Sequence, residues 1–260
     1  MVPVAAVRAA VHAQLVRKPT AHEPGVISID HHVRKTFDKS VVGDAVGFRH
    51  AVPLGGKDSR TAPLNLSASS CEDGGMTDLV AVRFRRLADA FSSRADAVTT
   101  EAWESPTPCA GWVARDIVGH LVEWVPAFIA AGAGVELADG PSVDDDPPGA
   151  WRALRAGVQA VLDDPGVHER VFDHPMVGRH ALDDAIAMFI FGDVLVHTWD
   201  LARSVGLDER LDPEETASMF EGIGPLDEIL RSSGQYGPRV EVSDDADVQT
   251  QLLAFLGRRP

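Results

Sequence analysis

From residue 76 onward the apolar positions of this chain recur with helical spacing, and upstream they do not. In residues 77–99, TDLVAVRFRRLADAFSSRADAVT, Leu79, Val82, Phe84, Leu87, Phe91 and Ala95 fall near one face with Arg and Asp opposite, which predicts an amphipathic helix. The segment WESPTPCAGW cannot continue it, because Pro106 and Pro108 each lack a backbone donor and clash with a preceding helical turn. The period resumes in WVARDIVGHLVEWVPAFIAAG, a second helix that Pro126 should kink or loosen. Past the acidic loop GPSVDDDPPG, a third helix is predicted over about 149–163, with Trp151, Leu154, Val158, Val161 and Leu162 apolar.

A fourth helix, about 181–205, carries Asp183 and Asp184 in its first turn and Gly206 just past its end, where the helix dipole and a left-handed cap favour those residue types. Asp212 followed by Pro213 reads as an N-cap and first helical position, opening a fifth helix that runs to about Leu230. A short extended piece around Val240 to Val242 and a final helix over about 245–256, closed by Gly257, complete the chain. The fold class predicted is all-α: a four-helix bundle with additional C-terminal helices and a short extended segment, the C-terminal appendage starting near residue 207. There is no internal repeat and no Gly-rich phosphate loop, which disfavours a nucleotide enzyme.

Residues 19–75 show little sustained period, are punctuated by Pro, Gly and Ser, and end in SASSCEDGG. Residues 1–75 hold nine Lys and Arg against seven Asp and Glu, whereas 76–260 hold 15 against 32, and all four lysines lie in the first part. Such different usage divides the chain into a disordered extension, or an upstream stretch included by a misplaced start, over 1–75, and a folded domain over 76–260. A helix over residues 3–17 would be marginal in water with nothing to pack against.

The formal charge of −15 argues against a nucleic-acid partner and an anionic membrane, both of which need clustered Lys and Arg. A small molecule or a cation fits better. Two cysteines, Cys71 and Cys109, imply no disulfide framework and point to a reducing, cytoplasmic compartment. No apolar run of about 18 residues is expected to span a bilayer, and the N-terminus lacks the plan of a signal peptide. The oligomeric state is open, a homodimer being the assembly carried forward.

Chemistry concentrates in the fourth helix. Over 185–199, AIAMFIFGDVLVHTW, the strongly polar side chains are Asp193 and His197, on a helix otherwise apolar nearly all round and therefore buried. A buried carboxylate needs a partner, and i, i+4 spacing puts these two side chains one turn apart on one face. They either satisfy each other through a hydrogen bond or grip one metal ion. A third ligand would come from His120, which shares an inward stripe with Val113, Ile117, Leu121 and Trp124, with Asp116 as its competitor. Asp200 reads as an acceptor behind the ligands or as a partner of Arg203. Three protein ligands leave a position for water or substrate, as catalytic zinc sites do, and the same set accepts Fe(II), Ni or Mn.

PTPCAGWVARDIVGHL, GDVLVHTWDLARSVG and the closing LLAFLGRRP resemble the actinobacterial metal-binding family related to the N-terminal domain of mycothiol-dependent maleylpyruvate isomerase, within the DinB-like superfamily. The resemblance covers 77–260. It implies a DinB-like four-helix bundle holding a divalent metal, usually zinc, through the matching positions His120, Asp193 and His197. The isomerase has Glu where this chain has Asp193. Relatives use mycothiol, a low-molecular-weight thiol, as cosubstrate, which implies a metal-assisted, thiol-dependent transferase or isomerase; a metal can present a thiol as thiolate near neutral pH. The alternatives are a non-catalytic metal-binding or stress-related bundle and an iron oxygenase with the same ligand set. Cys109 lies before the second helix, where it is either a thiol activated by the dipole or a small apolar turn residue. Trp199 reads as core, and Asp173 and His174 as a loop near the pocket mouth.

Overall fold

The computed structural model describes residues 73–175, 177–232 and 238–260. The expectations for a helix over 3–17 and for the character of the N-terminal extension lie outside these residues. Helix α1 spans Asp73–Ala95, α2 Ala114–Ala133, α3 Pro147–Leu162, α4 Leu182–Phe189, α5 Phe191–Val205, α6 Pro213–Ile223, α7 Asp227–Ser232 and α8 Val248–Phe255. A two-stranded sheet, β1 Val171–His174 and β2 Gly178–Ala181, lies between α3 and α4. The chain is mostly helical, as its periodicity predicts.

Four helices close a ring of contacts: α1 packs on α3 and α5, and α2 packs on the same two. The core between them holds Phe84, Leu87 and Phe91 of α1, Ile117 and Leu121 of α2, Trp151 of α3 and Trp199 of α5, all at or near full burial. Phe91 packs its ring 4.3 Å from that of Trp151, whose indole N–H donates to Ser92 Oγ at 2.8 Å, so the one polar edge there is paired.

The buried face of α1 is the one read from the sequence at Phe84, Leu87, Phe91 and Ala95, and departs from it at Leu79 and Val82. Leu79 and Val82 are 63% and 53% exposed, while Val80, Phe84, Leu87, Ala88, Phe91 and Ala95 face inward. These run at spacings of 4, 3, 1, 3 and 4, a single helical stripe that excludes 79 and 82. Pro126 lies inside α2 without ending it.

The predicted fourth helix is two, α4 and α5, joined at Ile190. Gly192, just past the joint, lets Met219 of α6 approach the backbone: a Cβ there would stand 3.2 Å from Met219 Cε. The caps fall where the sequence places them, with Asp212 accepting from the amides of Glu214 and Glu215 at 3.0 Å each and Gly206 left-handed at φ 72°. The predicted extended piece pairs with no strand; Val240 N–H instead donates to the Ala254 carbonyl at 3.0 Å, beside α8.

The hairpin was not predicted, and it moves Asp173 and His174 out of a loop into β1. Its antiparallel register sets Val171 opposite Ala181 and His174 opposite Gly178. Phe172 is fully buried and lies so close to α2 that a Cβ on Gly132 would stand 2.1 Å from its ring. Among the described residues, Ala114–Ala133 and Leu182–Val205 are long and apolar enough to cross a membrane, where the sequence reading expected no such run. Most of the second stretch, 78% of its window, is buried within the protein; a core helix surrounded by other helices becomes apolar all round for the same reason a membrane span does.

Candidate metal centre

Helices α2 and α5 run antiparallel past each other, because His120 faces His197, with ring centroids 5.1 Å apart, while one end of the pairing sets Phe128 against Phe189 at 5.5 Å. On α2, His120, Trp124 and Phe128 recur every four residues; on the facing side Phe189, Asp193 and His197 do the same. Two helical stripes thus meet rung by rung.

The polar rung holds the three residues singled out from the sequence. His120 Nε2 lies 3.1 Å from Asp193 Oδ2 and His197 Nε2 lies 3.4 Å from Asp193 Oδ1. One ligand atom from each of His120, Asp193 and His197 falls within 4.8 Å of the others. Asp193, one methylene shorter than the Glu of the resembled isomerase, therefore still reaches both imidazoles. Trp124 donates its indole N–H to Asp193 Oδ2 at 2.9 Å, which orients the carboxylate. Trp112 stacks on His197 with centroids 5.9 Å apart and tilts on His120 at 5.2 Å.

Behind His197 sits a second carboxylate. Asp200, fully buried, has Oδ2 at 3.0 Å from His197 Nδ1, so Nδ1–H donates backward and Nε2 is aimed at Asp193 and His120. Such an arrangement fixes the tautomer of a ligating histidine. Asp200 also accepts from Arg258 Nη2 at 2.8 Å and Nε at 3.2 Å, and Cys109 Sγ–H donates to Oδ2 at 3.5 Å. Asp200 is thus an acceptor behind His197, and Arg203 instead pairs with Glu209 at 3.3 Å.

Asp116, the competitor of His120, accepts from the Val113 amide at 2.9 Å and caps α2. Cys109, Trp103 and Trp199 pack in or against the core. Trp124 and Arg258 were missed as site residues. The four-residue step from His120 to Trp124 is visible in the sequence, but nothing local announces Arg258, 58 positions from Asp200.

Charge decides the protonation of the cluster. Burial alone would lower the His197 pKa, but the Asp193 charge and the hydrogen bond to Asp200 outweigh it and raise it to about 10. Burial would likewise raise Asp193, yet His197 and His120 beside it hold its carboxyl below the ordinary range. Asp200 is held far below that range, its burial overcome by the Arg258 guanidinium and by His197. Two other sets of possible ligands exist among the described residues. Cys109, His197 and Asp200 form one, though Arg258 already supplies its cation. His168, Asp183 and Asp184 form the other.

Two inward imidazoles and one carboxylate from facing helices, with a back-side acceptor on one imidazole, suit a divalent metal, the way helical bundles hold such ions. Residues 84–202 match the family model described as the mycothiol maleylpyruvate isomerase N-terminal domain, a span that contains all three of these residues. Proteins from two strains of Mycobacterium tuberculosis, both described only as uncharacterized, are each 27% identical to this chain over 186 residues, 67% of this chain and 94% of theirs. No solved structure matches at a significant level.

Proposed function

We propose, from the match of residues 84–202 to the mycothiol maleylpyruvate isomerase N-terminal domain, that the protein binds one divalent metal, zinc before iron, nickel or manganese, through His120, Asp193 and His197. On this reading it is a thiol-dependent transferase or isomerase with a mycothiol-type cosubstrate. The observation that carries it is the convergence of both histidine Nε2 atoms on the Asp193 carboxylate from two helices, with Asp200 on the far nitrogen of His197.

When bound, such a metal supplies an open position at which a thiol is held as thiolate near neutral pH. The chain's own residues do the rest. Asp200 holds the His197 ring and keeps its proton on Nδ1. Trp124 holds Asp193 by one oxygen and leaves the other toward His197. Trp112 and Trp124 cover the imidazoles and limit water around them. On the same reading the protein is cytoplasmic, acts on a small molecule and a low-molecular-weight thiol rather than on nucleic acid or a membrane, and works as a homodimer.

The alternative is a non-catalytic metal-binding bundle, in which the same three donors hold an ion that only clamps α2 to α5. Elemental analysis of the full chain, purified without a polyhistidine tag, tests the site common to both readings. About one metal per chain is expected, with loss in His197→Ala and in His120→Ala. Folded wild type that takes up neither zinc nor iron sinks both readings. Thiol binding to the loaded protein separates them: the thiol-dependent reading requires it, and a closed clamp excludes it.

A further inference from the structure

Among the described residues three carboxylates are all but shut away from solvent: Asp183 at 1% exposure, Asp200 at 0% and Glu215 at 6%. Two of them face arginine, which stays charged at any ordinary pH. Asp200 has Arg258 at 2.8 Å, and Glu215 has Arg83 at 2.7 Å and Arg86 at 3.2 Å. Asp183 faces an imidazole instead. His168 Nδ1 lies 3.0 and 3.1 Å from its two oxygens, and Oδ1 also accepts from the Asp184 amide at 2.9 Å. An imidazole brings positive charge only while protonated. The Asp184 carboxylate adds a second negative charge, since one ligand atom from each of His168, Asp183 and Asp184 falls within 4.8 Å of the others. A buried carboxylate with a like charge beside it is costly, and a divalent cation relieves both terms. Asp193, the carboxylate of the candidate metal centre, is likewise faced by imidazoles rather than by arginine.

The backbone brings these side chains together from two elements. Val167, fully buried, roots the turn after α3, and the Leu182 amide donates to the Arg170 carbonyl at 2.9 Å, which ties the start of α4 to the residue before β1. His168 thereby faces the first turn of α4, where Asp183 and Asp184 lie. The His168 side chain is 38% exposed and Asp184 is exposed, so the cluster opens to water. We infer that His168, Asp183 and Asp184 form a second divalent-cation site, with Nδ1 and an oxygen of each carboxylate as ligands and water on the remaining positions. Two ligand atoms about 2.1 Å from one ion and about 90° apart stand about 3.0 Å from each other, which is the spacing of His168 Nδ1 from Asp183 Oδ1. Ligands at that angle, two of the three being carboxylates, suit an octahedral ion such as manganese(II) better than tetrahedral zinc. Nδ1 gives up its proton to solvent on binding, and the ion then pins the turn after α3 to α4. The site shares no ligand with the metal centre. Three ligands on an open surface release the ion readily, so the site fills on titration and adds little to the metal retained through purification.

The test titrates manganese(II) into the full chain and counts the free ion by electron paramagnetic resonance. Wild type should bind one ion whose affinity falls at least about tenfold in His168→Gln and again in Asp184→Asn, since the loss of a ligand costs no less than the loss of a group behind one. His197→Ala removes a ligand of the metal centre and should leave this ion in place, as should Asp144→Asn Asp145→Asn in the exposed acidic loop. Folded wild type that takes up no manganese overturns the inference, and so does equal affinity in wild type and both site variants. An ion lost in His197→Ala but kept in the site variants belongs to the metal centre, and one lost only in the acidic-loop variant is a surface ion; either result overturns the second site and leaves the proposed function standing. If one site variant fails to fold, the other decides.

Discussion

Asp200 connects the candidate metal centre to the end of the chain. Its carboxylate is fully buried and carries charge because His197 and Arg258 surround it. Replacing Asp200 with Asn removes the negative charge behind His197 and one of the two acceptor oxygens shared with Arg258, and metal affinity should fall roughly 10- to 100-fold, read by competition with a chromogenic chelator. Arg258→Ala leaves the same carboxylate buried with one cation fewer. Denaturant unfolding should show a loss of roughly 3–5 kcal/mol, and an unchanged midpoint would mean that Asp200 rearranges to water in the variant.

The hairpin and α4 are held by close approach and by an ion pair between a partly exposed histidine and a buried carboxylate. Phe172 seats β1 on α2 only because Gly132 has no Cβ, which would stand 2.1 Å from its buried ring. Gly132→Ala should cost about 1–3 kcal/mol through this overlap, and denaturant melts would reveal no change if the hairpin can lift away freely. At the start of α4, His168 Nδ1 lies 3.0 Å from Asp183 Oδ1. That hydrogen bond, and then the Asp183 charge, raise the His168 pKa above 6.5. The contribution of this pair is therefore complete below about pH 6.5 and is lost as pH rises through the higher folded value. The gap in melting temperature between wild type and His168→Gln should be widest near pH 6 and close at alkaline pH. A gap that widens with pH would contradict the assignment.

Across the whole bundle, the ring of α1, α3, α2 and α5 leaves the donors on facing walls, while α6 ties to α1 through Arg83 and Glu215, 2.7 Å apart. A metal joining α2 and α5 binds the folded chain and has far less to hold in the unfolded one. Zinc at a hundredfold excess over its Kd should stabilise the protein by about 2.7 kcal/mol, a rise in melting temperature that a chelator reverses. The same shift in the His120→Ala His197→Ala double variant would place the ion elsewhere on this acidic surface.

The helices, their caps and the Asp193 to His197 step were legible along the chain, because helical period, N-cap chemistry and i, i+4 spacing are relations between residues a few positions apart. So was the inward direction of His120, since it shares a stripe with Ile117 and Leu121. The hairpin escaped because four-residue strands carry too few alternations to stand out from a loop, and the predicted face of α1 was too wide by Leu79 and Val82, which are apolar without being covered. Which helix faces the donors across the core, which arginine neutralises Asp200 and which rings border the His197 and Asp193 side chains depend on partners 58 to 85 positions away. Those pairings come into being only when the antiparallel helices and the C-terminal turn pack, since burial is what makes an unpartnered carboxylate costly enough to select them.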